Sequence, residues 1–177
     1  MCDGRISHAS TGYSLSSVLR SSVRFLTTVL LGLTLLRCGY SAPAAEDIAI
    51  VVRPDVPIDD LSFADVRKLF LGERQFWPKN LRVTLLIRAP TARERDVVLK
   101  EIYQMSEAQF RQYWISKVFR ADVSVGPKIV YSGEMATELV SAIPGAVTFV
   151  PANKVPNGLK TLKIDGHLPG EKGYPLR

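Results

Sequence analysis

The residues with the clearest capacity to bind a ligand follow an apolar run at positions 83–87 (VTLLI), which is typical of a buried strand. Arg88 comes next, and Thr91, Ala92 and Arg93 then open a helical pattern. A helix start offers free backbone N–H groups and the positive end of the helix dipole, and arginine binds oxyanions in a bidentate manner. This spacing predicts an oxyanion site formed by Arg88, Thr91, Ala92 and Arg93.

A second helix start of the same kind is predicted at Ser132, which is followed by Gly133 and Glu134. The Ser132 hydroxyl and the first N–H groups of that helix are suited to an anion. Glu134 would repel an anion if its side chain pointed inward.

Spacing alone also allows a purely structural interpretation. Thr91 and Ser132 would then be helix caps only, and Glu94, three residues after Thr91, would complete a capping box. Arg88 and Arg93 would be solvated or paired with Glu94 and Asp96. Both interpretations stay open at this point.

Groups suited to catalysis are scarce in the sequence. His167 is the only imidazole apart from His8, and no nucleophile elbow, phosphate-binding glycine loop or dinucleotide-binding turn occurs. We therefore expect no enzyme activity, no metal site and no cofactor. Spacing alone leaves open a catalytic role for a carboxylate pair such as Asp59 and Asp60.

The N-terminal region has the order of a signal peptide. An uncharged apolar run of 12 residues at positions 25–36 follows Arg20 and Arg24, and small residues lead to Ala44. The sequence predicts cleavage after Ala44, with residues 1–44 as the signal peptide and 45–177 as one exported, periplasmic domain. The run is shorter than the roughly 20 residues that a membrane span needs.

A lipoprotein anchor at Cys38 is the rival interpretation of this region. Arg37 stands before Cys38, where a lipoprotein signal has a small residue, so lipidation is not expected. Loss of residues 1–44 would also remove Cys2, which leaves the predicted domain without a thiol.

Charge argues against a nucleic-acid partner. The whole chain has a formal net charge of +6, but the leader carries four arginines and one aspartate, so residues 45–177 carry +3. No cluster of basic residues with interleaved aromatics occurs.

The remaining sequence alternates between strand-like and helix-like segments, which predicts an α/β domain with a mostly parallel or mixed sheet. The predicted helix N-caps are Ser62, Thr91, Ser106 and Ser132. The helix after Ser132 has a predicted buried stripe, which consists of Met135, Leu139, Val140 and Ile143. We expect the segment 169–175 to be loosely held. Predicted strands cover residues 47–53, 83–87, 129–131, 146–150 and 159–164.

From Asp47 to about Gly166 the chain resembles the phosphate ABC transporter substrate-binding proteins of the type II periplasmic binding protein superfamily. The resemblance is carried by IAIVVRPDVPIDDLSFADVRKLFLGERQFWP, LLIRAPTARERDVVLKEIYQMSEAQFRQYWISKVF and AIPGAVTFVP. It implies a three-layer α/β/α sandwich with a mixed sheet, phosphate or a related oxyanion as ligand, and an inner-membrane ABC permease as partner.

The resemblance also implies roles for individual residues. Arg88 stands for the arginine of the family's phosphate loop and Thr91 for its serine, while Ala92 and Arg93 replace a Gly-Thr pair. Arg93 matches an arginine of the short members, and Ser132 matches a small polar residue that opens a later helix.

Two departures from the family support an alternative function. The family's Thr-Gly-Ser-Ser type loop near the mature N-terminus has no counterpart here, and 133 residues suffice for little more than one of its two lobes. The alternative is an envelope accessory protein that keeps the fold without binding a ligand, with the Arg93 side chain filling the anion position.

Overall fold

The computed structural model describes residues 46–177. The predicted signal peptide and Cys38 lie outside the described residues, so the processing site stays a prediction. Contacts divide the chain into two units, Met1–Ala42 and Pro43–Arg177, and every described residue lies in the second. No helix of the described part is long and apolar enough to cross a membrane.

Strands and helices alternate along the described chain. The strands are β1 (Ile48–Val52), β2 (Asp60–Leu61), β3 (Thr84–Arg88), β4 (Lys128–Val130), β5 (Ala146–Pro151), β6 (Lys160–Thr161) and β7 (Lys163–Ile164). The α-helices are α1 (Phe63–Phe70), α2 (Arg93–Val98), α3 (Glu107–Phe119) and α4 (Gly133–Ala142). A π-helix (Leu99–Tyr103) continues α2, and short 3-10 turns cover Pro78–Asn80 and Ala152–Lys154.

The main sheet has five strands in the order β4-β3-β5-β1-β6 and is mixed. β3 pairs in parallel with both β4 and β5, whereas β1 pairs antiparallel with β5 and β6. β2 and β7 form a separate parallel pair. The α/β class with a mixed sheet is therefore confirmed.

Side-chain alternation along β1 explains the layers. Ile48, Ile50 and Val52 belong to one apolar cluster, while Ala49 and Val51 belong to the other. The first cluster packs under α1, the π-helix and α3, and the second packs under α4. Helices thus cover both faces of the sheet, as expected for a fully apolar central strand.

Three predicted serine caps are confirmed by their hydrogen bonds. The hydroxyls of Ser62, Ser106 and Ser132 each accept from the N–H three residues on, at 3.1, 3.3 and 3.0 Å. At Ser106 the Gln109 side chain also accepts from the Ser106 N–H at 2.8 Å, which completes a capping box.

The predicted cap at Thr91 is wrong. Thr91 has a φ of +76°, and the N-cap of α2 is Ala92, which makes no side-chain capping bond. The Thr91–Glu94 capping box is therefore not formed. The turn after Pro90 places Thr91 in the left-handed region, so the helix begins one residue later than its side-chain chemistry suggests.

Two smaller predictions also fail. Met135 is 41% exposed, so the buried face of α4 is carried by Ala136 and Val140 instead. The strand predicted at 159–164 is split, because β6 pairs with β1 whereas β7 pairs with β2.

The C-terminal segment is held firmly, contrary to expectation. Tyr174 and Leu176 are buried, and the Ile48 N–H donates to the Leu176 carbonyl at 2.9 Å. The Tyr174 hydroxyl donates to the Ile48 carbonyl at 2.7 Å. The tail therefore pairs with the start of β1.

Candidate anion site at the carboxyl edge of the sheet

A pocket of about 350 Å³ lies at the edge where β3, β4 and β5 end. Arg88 is the last residue of β3, Ser132 is the N-cap of α4 after β4, and Lys154 follows β5. All three line the pocket. Because the carboxyl ends of parallel strands meet at one edge, residues far apart in sequence converge there.

The Arg88 side chain is only 12% exposed and keeps hydrogen-bonding capacity. Its Nε lies 3.9 Å from the Glu94 carboxylate and is buried without a hydrogen-bond partner. Its Nη1 is 3.5 Å from the Val130 carbonyl, a long and weak contact. A charged group with unsatisfied donors at a pocket wall is suited to an anion.

Glu134 supplies an internal anion at the start of α4. Hydrogen bonds from its own backbone N–H and from the Ser132 hydroxyl hold the pKa of the Glu134 carboxyl below its ordinary value, helped by the charges of Lys154 and Arg88. The carboxyl itself is fully exposed, so it can leave this position without breaking the core. Glu134 also lines the pocket, so its carboxylate opposes an incoming anion there.

The charge of the pocket is mixed. Arg88 and Lys154 are outnumbered by the carboxylates of Glu94, Glu134 and Glu138 in the same lining. An incoming anion must compete with these carboxylates for the two cations.

The other predicted ligands do not line this pocket. Thr91 is exposed in its left-handed turn, and Ala92 caps α2 through its carbonyl, which accepts from Arg95 and Asp96. Both terminal nitrogens of Arg93 donate to the Glu46 carbonyl at 3.1 Å. Arg93 therefore does not fill this pocket, because its side chain binds the segment before β1 instead.

Two residues that shape this candidate site are not predicted from the sequence. Lys154 stands three residues after a buried strand, which is the signal that could have revealed it. Arg95 has no such signal: it is a buried cation that bonds Glu107 at 2.9 and 3.0 Å and donates to the Arg88 carbonyl at 2.5 Å. Arg95 thereby positions the end of β3.

Comparison with known proteins supports the fold. No family model matches the chain. Similar solved structures include an ABC-type phosphate transport receptor from Vibrio cholerae, with 18% identity, a TM-score of 0.57, and coverage of 70% of this chain and 48% of that one. At such identity the likeness establishes the fold only.

Two further structures are similar to the same degree. A chain from Clostridium perfringens, assigned as a phosphate ABC transporter substrate-binding protein and containing bound phosphate, has 15% identity, a TM-score of 0.56, and coverage of 68% of this chain and 46% of that one. PstS from Borrelia burgdorferi has 17% identity, a TM-score of 0.56, and coverage of 70% and 49%. The chain thus spans about half the length of these proteins.

Proposed function

We propose that this protein is a solute-binding protein that takes phosphate or a related oxyanion at the carboxyl edge of its sheet. The observation that carries the proposal is the convergence of Arg88, Ser132 and Lys154 on one pocket. The phosphate transport proteins with the same fold support phosphate as the first ligand to test. The same neighbours favour binding over catalysis.

Binding requires a rearrangement at the pocket. The anion takes the place of the exposed Glu134 carboxylate, accepts from Ser132 and the first N–H groups of α4, and meets the free donors of Arg88. Because the pocket contains three carboxylates, affinity is expected to be modest.

Calorimetric titration with phosphate and sulfate tests this function. Arg88→Gln and Lys154→Gln should each weaken phosphate binding about tenfold, and Glu134→Gln should strengthen it by removing the competing carboxylate. Arg120→Gln is the matched control, because Arg120 is exposed and pairs with Asp122 away from this pocket. Absence of heat at millimolar phosphate, or an unchanged affinity in Arg88→Gln, would refute the proposal.

We further propose that the protein works in the periplasm with an inner-membrane ABC permease. The apolar run before Ala44 and the phosphate transport neighbours support this role. N-terminal sequencing of the exported protein should show cleavage after Ala44. Recovery of the intact chain in the cytoplasmic fraction would contradict export.

The second candidate is an envelope accessory protein without a ligand. The carboxylates of Glu94, Glu134 and Glu138 in the pocket favour it, because they already neutralise Arg88 and Lys154. A stoichiometric envelope partner together with no phosphate-induced rise in melting temperature would support this candidate over the first.

A further inference from the structure

A second cavity, of about 410 Å³, lies at the opposite edge of the sheet, where β3 and β4 begin. Its walls come from the segment after α1, the start of β3 and the loop that precedes β4, and α3 closes its base. It shares no lining residue with the anion pocket. Its volume is within the range of small-molecule sites.

The base of this cavity is apolar. Leu69, Leu85, Trp114 and Val123 are buried and face it. Gly72 lets the Trp114 ring approach closely, because a Cβ at that glycine would stand 2.8 Å from the ring and the φ of +69° disfavours any side chain. The base therefore offers an aromatic surface for an apolar group.

The rim of the cavity is positively charged. Arg74, Arg82 and Lys128 line it, and no carboxylate does. Within residues 46–177 none of these three cations takes part in a salt bridge. The carboxylate nearest in sequence to the loop, Asp122, pairs with Arg120 at 2.9 Å. The lining therefore carries three cations and no carboxylate, beside an apolar base.

Side-chain bonds hold the three walls together. The Arg82 guanidinium donates to the Ser124 hydroxyl, which joins the start of β3 to the loop before β4. The Gln75 amide donates to the Asp122 carbonyl at 2.9 Å, which joins the segment after α1 to the same loop. Arg74 is supported by the Trp77 ring, at 5.8 Å from its centroid. The cavity is thus largely preformed, which lowers the entropic cost of binding.

We propose that this cavity binds a small organic anion in which an aromatic or short aliphatic body carries a carboxylate. The body packs on Trp114, and the carboxylate meets Arg82 and Arg74 at the rim. The charge complementarity of the rim selects the anion, and the apolar base excludes small inorganic ions.

Titration with 3-phenylpropionate tests the proposal, with 3-phenylpropanol and acetate as probes that each lack one half of the ligand. Calorimetry should show binding of 3-phenylpropionate and at least about fivefold weaker binding of both others. The Trp114 indole N–H resonance should shift on binding, because the Trp114 ring lies at the base of the cavity.

Variants locate the site and separate it from the anion pocket. Arg82→Gln and Arg74→Gln should each weaken 3-phenylpropionate binding about fivefold, whereas Lys154→Gln, at the opposite edge, should not change it. No binding at millimolar 3-phenylpropionate, equal binding of 3-phenylpropanol, or an unchanged affinity in the Arg74→Gln/Arg82→Gln double variant would overturn the proposal. Phosphate titration of the same variants reports separately on the anion pocket.

Discussion

Arg95 is a buried guanidinium that connects three elements of the fold. It pairs with Glu107 at the start of α3, donates to the carbonyl at the end of β3, and lies 4.8 Å from the Phe110 ring centroid. A buried cation is stable only when its donors are satisfied, and here three hydrogen bonds engage all three nitrogens of the guanidinium. The position of Arg88 therefore depends on Arg95.

Arg95→Met should lower the free energy of unfolding by about 2–3 kcal/mol, because it leaves the Arg88 carbonyl and Glu107 without their partner. This expected loss is smaller than for a fully buried ion pair, because the Glu107 side chain is 32% exposed. Urea denaturation measures the loss. Phosphate binding should weaken as well, because the end of β3 is no longer held.

Lys100→Met is the control for Arg95→Met. Lys100 pairs with Glu101 at 2.9 Å, but its side chain is 81% exposed, so its loss should change stability by less than about 0.5 kcal/mol. Equal losses in the two variants would contradict the structural role of Arg95.

At the scale of elements, two helix starts with similar residue chemistry differ in their backbone. Ser106 has an extended conformation and caps α3, whereas Thr91 has a φ of +76° and caps nothing. A β-branched residue in the left-handed region is strained. The two sites therefore respond oppositely to substitution.

Thr91→Gly should raise the free energy of unfolding by about 1 kcal/mol, because glycine adopts positive φ without the steric cost. Ser106→Ala should lower it by about 1 kcal/mol through loss of the capping box. Thermal and urea unfolding of both variants measure these changes. A loss of stability in Thr91→Gly would support the original expectation that Thr91 is the cap.

The faces of α4 show the limit of helical spacing as a guide to burial. Of the predicted buried stripe, Val140 is buried and Leu139 is partly buried, but Met135 is 41% exposed. Ala136 is buried in its place, because it belongs to the apolar cluster that α4 forms with β1, β3, β4 and β5. Periodicity predicts the helix, whereas the strands that pack against the helix decide which of its residues are buried.

At the scale of the whole molecule, the two ends of the described chain stabilise each other. Tyr174 and Leu176 bond to Ile48 and extend the edge of the core next to β1. Burial raises the pKa of Tyr174, and burial likewise raises the pKa of Tyr103, whose hydroxyl donates to the Phe70 carbonyl at 2.8 Å. The folded state therefore favours the protonated form of both tyrosines.

Stability should therefore fall as the pH rises above about 10, the ordinary tyrosine pKa. Below that pH both states hold the phenolic protons, and above it the unfolded chain releases them while the folded chain retains them, so unfolding becomes favoured. Urea midpoints measured on both sides of that pH test this. At neutral pH, Tyr174→Phe should lower the free energy of unfolding by about 1 kcal/mol, because the hydrogen bond of the hydroxyl is lost. In alkaline solution the stability of this variant should fall less steeply with pH than that of the wild type.

Tyr103→Phe should flatten the alkaline decline in the same way. A surface variant, Tyr131→Phe, is the control, because Tyr131 is 75% exposed. Identical alkaline slopes in the wild type and in the Tyr103→Phe/Tyr174→Phe double variant would show that these phenols are not the responsible groups.

The sequence by itself determined the features that depend on neighbouring residues. The apolar β-branched runs became strands, and Ser62, Ser106 and Ser132 became caps, because a cap needs only its own hydroxyl and the N–H three residues on. The α/β class followed from the alternation of these segments. Arg88 and Ser132 were likewise found from local spacing and do line one pocket.

Only the tertiary structure decided the features that depend on distant residues. The turn after Pro90 places Thr91 at positive φ. Hydrogen bonds to the Glu46 carbonyl hold the Arg93 side chain away from the pocket. The parallel order of β3, β4 and β5 brought Lys154 to Arg88, and β1 offered a free carbonyl and N–H to the tail. Such contacts join positions far apart in the chain, so no local pattern encodes them.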